Sequence, residues 1–105
     1  MDSSTDPSPQ APLVQLLTPS GERVHDPEHS FDGDRAEIES LYRDMVMTRR
    51  VDTEAYALQR HGELGLWPPA LGQEAAQIGS ARALRGHDFA FPTYRDHGVA
   101  WCRGV

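Results

Sequence analysis

The stretch FAFPTYRDHGVAWC, residues 89–102, carries more of the architecture than any other part of this chain. Phe89, Ala90 and Phe91 read as a very short buried strand that Pro92, which lacks an N–H, terminates. Thr93 and Asp96 have capping-box spacing, so a helix is expected to start there and run through Cys102. Strand, tight turn and helix N-terminus together form the opening half of an α/β unit.

That reading places Arg95 in the first turn of a helix, where a cation opposes the macrodipole. Two explanations fit. An anion held between the guanidinium and the first free N–H groups would reverse the penalty, with phosphate the natural match and the Tyr94 hydroxyl a further donor. Alternatively, Arg95 is solvated and pairs with Asp96 or another element. Spacing alone leaves both open.

Upstream, QEAAQIGSARALRG, residues 73–86, reads as a helix closed by Gly86, with a small inner face of Ala75, Ala76, Gly79 and Ala83 beside Ile78 and Leu84. Mid-helix glycine costs about 1 kcal/mol against alanine, which a neighbouring backbone passing close to Gly79 would explain. Glu74, in the first turn, favours the dipole. The preceding ELGLWPPALG, residues 63–72, is a loop, since its glycines and the Pro68-Pro69 pair exclude regular structure, yet it carries Leu66 and Trp67.

The clearest helix lies further back. Asp34 and Glu37 form a capping pair, and apolar residues recur at Ile38, Leu41, Tyr42, Met45, Val46, Val51, Ala55 and Leu58. Arg60, His61 and Gly62 supply the chemistry of a C-terminus. Some 26 residues at 1.5 Å each span about 39 Å, long for a segment of this size and more natural as a scaffold in a larger assembly.

Before it, residues 13–34 read as an extended arm or small hairpin turning at Thr18-Pro19-Ser20-Gly21. Residues 1–12 hold Ser, Asp and Pro with almost nothing apolar, and read as a disordered tail. The patterned part, 35–105, is roughly 70 residues, for which a lone core supplies at most about 3–5 kcal/mol.

Composition narrows the function. The 105 residues carry 16 acidic and 10 basic side chains, net −6, which argues against nucleic acid as a partner. All basic residues are arginine. With mean hydropathy −0.58, no run long enough to span a bilayer and no secretory signal, neither membrane insertion nor export is expected. The single Cys102 allows no internal disulfide. A cytoplasmic chain is expected. His25, His29, His61, His87 and His97 form no zinc pattern, and no residue is singled out as catalytic or as a metal ligand.

Two runs, YRDMVMTRRVDTEAYALQRHGELGLWPPALGQEAAQIGSARAL at 42–84 and DFAFPTYRDHGVAWCRG at 88–104, resemble the alpha subunit of the decarboxylating component of 2-oxoacid dehydrogenase complexes. The ordered motifs are MxxxR from Met45, LGQEA, GSARAL and YRDHG. The resemblance covers about residues 38–105, and VQLLTPSGERVHDP, residues 14–27, is similar to the N-terminal arm of the branched-chain type.

The resemblance implies a thiamine diphosphate-binding α/β fold, present here as a truncated, mainly helical portion with an N-terminal arm and the first short strand of the sheet. It implies thiamine diphosphate and magnesium as cofactors, with Tyr94 and Arg95 on the diphosphate. Leu66 and Trp67 fall in the loop that lines the substrate pocket. Pro68 stands where animal pyruvate enzymes commonly carry histidine, which leans toward the branched-chain type or bacterial pyruvate relatives. The implied reaction is oxidative decarboxylation of a 2-oxoacid with acyl transfer to lipoamide. The implied partners are a beta subunit, in a heterotetramer, and a lipoyl-bearing acyltransferase.

The family's magnesium-holding GDG and Asn segment is not among these residues, and its activating glutamate belongs to the beta subunit. Bonds from one arginine contribute about 1.5–3 kcal/mol and a helix end about 0.3–1, whereas a 1 mM constant requires about 4.1. The 105 residues alone are therefore expected to be inactive and to bind the cofactor at millimolar level or weaker. The rival readings are a non-catalytic helical interaction module, an inactive truncated product and, within the family, an acetoin dehydrogenase alpha subunit.

Overall fold

The structure, a computed structural model, describes residues 11–105. Most of the disordered tail expected at 1–12 therefore lies outside the described residues. The chain divides into two units, Met1–Asp32 and Gly33–Val105.

In the described part of the first unit the chain reverses at Thr18–Gly21. The Thr18 N–H donates to the Glu22 carbonyl at 2.8 Å, and Val24 N–H to Leu16 at 2.9 Å. One antiparallel bridge, Leu17 to Arg23, is the only β pairing among the described residues. The Arg23 guanidinium donates to the Phe31 carbonyl at 2.7 Å.

The second unit is three helices: α1, Arg35–Arg60; α2, Glu74–Ala83; and α3, His97–Cys102. Helix α1 has the expected length of 26 residues. The Asp34 carboxylate accepts the Glu37 N–H at 2.9 Å. At the other end Gly62 takes φ 76°, its N–H bonding Gln59 while Glu63 N–H bonds Leu58, the paired closure of a Schellman motif that a left-handed glycine permits. Gly104, at φ 83°, closes α3 in the same way through Trp101 and Ala100. No helix among the described residues is long and apolar enough to cross a membrane.

Only one stripe of α1 is covered. Thr48, Asp52 and Ala55 are buried, whereas Ile38, Tyr42, Val46, Val51 and Leu58 are exposed. The buried side chains of the unit are Ala55, Ala70, Ile78 and Ala81, matched one for one by Thr48, Asp52, Glu74 and Gln77. A core that is half polar persists only if each polar group is partnered. Asp44 shows how: its carboxylate accepts from Arg82 of α2 at 2.6 Å and from the Trp101 indole of α3 at 3.1 Å, binding three helices at one point.

Four expectations are corrected. Residues 89–91 form no strand, and Phe89 and Phe91 are 86% and 91% exposed; a strand exists through its ladder, and no neighbour among the described residues supplies one. Helix α2 stops at Ala83 rather than at Gly86. There the Asp88 carboxylate captures the Arg85 N–H at 2.7 Å, and the Arg103 guanidinium takes the carbonyls of Arg85, Gly86 and Asp88, which diverts the chain into a turn. The inner face of α2 is Glu74, Gln77, Ile78 and Ala81, while Ala75, Ala76 and Ala83 face outward and Gly79 has open space around it. Helix α3 begins at His97, so Arg95 precedes it. What the structure shows is a mainly helical portion with almost no strand.

Candidate functional site

Three segments converge on α1 near Thr48 and Asp52: the loop 63–72, the start of α2, and the turn 93–96 with α3. Asp52 organises the loop. Its Oδ1 accepts the Trp67 indole N–H at 3.0 Å and the Ala70 N–H at 3.1 Å, which brings residues 67–70 back onto the helix. Arg49, one turn earlier, donates to Glu74 at 2.7 Å. That hydrogen bond and the adjacent positive charge hold the buried Glu74 carboxyl below the usual carboxylate range against the opposing effect of burial, and raise Arg49 in turn.

The Thr93–Asp96 pair meets as its spacing requires but makes a turn rather than a helix start. The Asp96 carboxylate accepts the Thr93 N–H at 2.8 Å and the Thr93 hydroxyl at 2.7 Å, and Asp96 N–H closes onto the Thr93 carbonyl at 3.1 Å. These bonds from Thr93, backbone first, lower the Asp96 pKa. With its carboxylate so engaged, Asp96 is not the partner of Arg95. Arg95 instead donates from Nη1 to the Pro69 carbonyl at 2.7 Å, and its guanidinium carbon lies 5.8 Å from the Tyr94 ring centroid. Among the described residues no carboxylate comes within ion-pair distance of it. Tyr94 is 71% exposed.

Behind this turn, Trp67 stacks on His97 with ring centroids 4.1 Å apart and planes 12° from parallel. The His97 Nε2 is buried with no hydrogen-bond partner. Both rings line a cavity of ≈ 280 Å³ with Met47, Val51, Ala100 and Trp101 on its apolar walls. Gly98 sits so close to both α1 and α2 that a Cβ there would meet Gln77 Oε1 at 2.9 Å and Thr48 Cγ2 at 3.2 Å.

The structure thus brings Trp67 and Arg95 together through Pro69 and His97, and leaves Leu66, 88% exposed, at the loop tip. Asp52, Gln77 and His97 were not singled out from the sequence. The available signal was positional for the first two: Asp52 follows Thr48, and Gln77 precedes Ile78 and Ala81, on stripes that an amphipathic reading assigns to apolar residues only. Among the described residues no three of His, Cys, Asp and Glu gather as metal ligands.

The sequence pattern of the family described as dehydrogenase E1 component matches residues 42–105, the whole of this junction and more than half the chain. The chain belongs to that family. It is 46% identical, over 88% of its length, to the 3-methyl-2-oxobutanoate dehydrogenase subunit alpha of Mycobacterium tuberculosis, covering 25% of that protein. Against the pyruvate dehydrogenase E1 component subunit alpha of Bacillus cereus the identity is 41%, over 83% of this chain and 23% of the relative. A mitochondrial 2-oxoisovalerate dehydrogenase subunit alpha of Arabidopsis thaliana is 33% identical over 90% of this chain and 20% of its own length. The E1 chain described here therefore spans about a quarter of the curated relatives it matches. No solved structure matches it.

Proposed function

We propose that this chain acts as the N-terminal portion of a 2-oxoacid dehydrogenase alpha subunit, oxidatively decarboxylating pyruvate or a branched-chain 2-oxoacid and passing the acyl group to lipoamide. One observation carries the placement of the cofactor: Arg95 is steadied by the Pro69 carbonyl, faces no carboxylate among the described residues, and lies beside the exposed Tyr94 phenol. A guanidinium has five N–H donors. One is spent on Pro69, so the remainder and the phenol hydroxyl fit the diphosphate of thiamine diphosphate. Bound there, that cofactor would supply the carbanion chemistry of 2-oxoacid decarboxylation.

The chain's own contribution is grip and shape. Tyr94 and Arg95 bind and orient the diphosphate. Leu66 and Trp67 form part of the substrate wall, Leu66 as an exposed apolar group and Trp67 as a ring fixed by Asp52 and His97. The magnesium that accompanies the diphosphate takes its ligands from elsewhere in the assembled enzyme, which pairs this subunit with a beta subunit and a lipoyl-bearing acyltransferase in a cytoplasmic complex. Matches to both pyruvate and branched-chain enzymes support the 2-oxoacid class over a non-catalytic module or an acetoin enzyme, while the 105 residues by themselves are expected to be inactive.

The test is reconstitution. An alpha subunit carrying these residues, assembled with its beta subunit, is expected to release carbon dioxide from pyruvate or 3-methyl-2-oxobutanoate only when thiamine diphosphate and magnesium are present. Cofactor-independent turnover, or none with any 2-oxoacid, would refute the reading.

A further inference from the structure

We infer that Gln77 is a positioning residue that sets the Tyr94–Arg95 turn for a diphosphate, by clamping the backbone at both ends of residues 95–98. The inference rests on the diphosphate reading of the preceding subsection and deepens it.

Gln77 is 5% exposed, an expensive place for an amide unless each of its ends is bonded. Both are. Its Nε2 donates to the Arg95 carbonyl, with Gln73 Oε1 a further 3.4 Å neighbour, and its Oε1 accepts the Gly98 N–H at 2.9 Å. The amide orientation follows from the chemistry of these partners, since the reverse would set oxygen against a carbonyl and N–H against N–H. One side chain from α2 therefore holds the chain where it leaves Arg95 and where it enters α3. Gly98 is the only residue that lets the amide come so near, because any Cβ would lie 2.9 Å from Oε1.

The clamp acts on the arginine. The Arg95 carbonyl is pinned on one side and its Nη1 rests on Pro69 on the other, so backbone and guanidinium are both fixed before any ligand arrives. Pro69 is itself presented by the Asp52 bond to Ala70. A preorganised guanidinium loses less conformational freedom on binding an anion than a free one. Neither bond of the Gln77 amide serves the apolar core; both end on the backbone that carries the arginine. An apolar residue of similar volume would fill the space and leave a carbonyl and an N–H unpartnered.

The test uses the 105-residue chain, small enough for residue-resolved NMR, with inorganic pyrophosphate as the probe. In the wild type the Arg95 Nε–H resonance is expected to shift with a millimolar constant, and Arg95→Ala to abolish binding. Gln77→Leu is expected to weaken pyrophosphate at least threefold and to speed Gly98 amide exchange while α1 amides stay protected. Gln77→Glu supplies a readout that simple loss of packing would not give. Only a protonated carboxyl can donate to the Arg95 carbonyl while accepting from Gly98, and burial raises a carboxyl's pKa. Its constant, divided by the wild-type constant at the same pH, is therefore expected to exceed three near pH 8 and to approach one near pH 5. Should Gln77→Leu fail to fold, the Gln77→Glu profile decides alone. Ratios below threefold at every pH, with wild type and Arg95→Ala behaving as stated, overturn the role of Gln77. A wild-type Arg95 that ignores pyrophosphate overturns the diphosphate reading, and this inference with it.

Discussion

Replacing Gly98 with alanine tests the junction at its tightest point. In most helices Gly→Ala is favourable, by at most about 1 kcal/mol. Here the new methyl would stand 2.9 Å from Gln77 Oε1, 3.2 Å from Gln77 Cβ and 3.2 Å from Thr48 Cγ2. An amide end can ordinarily swing away. This one is held by the Gly98 N–H and the Arg95 carbonyl, so relief means losing hydrogen bonds, each with a net contribution of about 0.5–1.5 kcal/mol. Overpacking adds about 1–3 kcal/mol. The sum outweighs the helix gain and leaves a destabilisation of about 1–5 kcal/mol. For a unit of this size each kcal/mol lowers Tm by about 4–8 °C. Thermal and urea unfolding followed by helical circular dichroism would measure it. Gly79→Ala is the internal control: Gly79 lies mid-helix with nothing within 4 Å, and the substitution is expected to raise stability by about 0.5–1 kcal/mol. If Gly98→Ala were as stabilising as Gly79→Ala, Gln77 and Thr48 would not enclose Gly98 and the packing of α2 on α3 would be wrong.

Other outcomes follow from the same contacts. Asp52→Ala leaves the Ala70 N–H without its acceptor and should cost about 1–3 kcal/mol, with the Trp67 indole N–H resonance shifting and exchanging faster; an unchanged indole signal would contradict the loop anchoring. Glu74 has a folded pKa below its unfolded one, because Arg49 bonds and neutralises it. Its contribution to stability is therefore complete above the unfolded value of about 4.3 and is lost as pH falls through the folded value. Unfolding midpoints measured between pH 7 and 2.5 should drop below about pH 4.3, less steeply in Glu74→Gln. Thiamine diphosphate with magnesium, titrated calorimetrically into the 105-residue chain, should bind at millimolar level or weaker, whereas micromolar affinity would mean that these residues hold far more of the site.

Local chemistry was legible in the sequence where it acts locally. The ends of α1 follow from Asp34 with Glu37 and from Gly62, because each cap closes within a few residues. Thr93 and Asp96 also meet, but their bonds close a turn and α3 starts after it, so Arg95, which capping-box spacing sets against a helix dipole, stands ahead of the helix. Long-range chemistry was hidden. Gln77 faces inward because its partners lie 18 and 21 residues away, and Glu74 because Arg49 is 25 residues distant. The run of small residues therefore pointed to the wrong side of α2, with Ile78 alone of that expected face buried. The Arg103 grip on Arg85 and Gly86 shortened that helix by a similar distant contact. The strand at 89–91 needed a neighbour that no local rule provides. Of the residues singled out for function, Arg95 rests on Pro69 and Trp67 stacks on His97, contacts that no local rule supplies, while Leu66 and Tyr94 are presented outward.

The central claim is that Tyr94 and Arg95 hold the diphosphate, and the dissociation constant of thiamine diphosphate from the beta-paired enzyme measures it most directly. Arg95→Ala removes charge-assisted bonds of about 1.5–3 kcal/mol, so the constant should rise tenfold or more, since tenfold corresponds to about 1.4 kcal/mol, while the helical circular dichroism stays as in the wild type. An Arg95→Ala enzyme that binds the cofactor as tightly as the wild type would contradict the account.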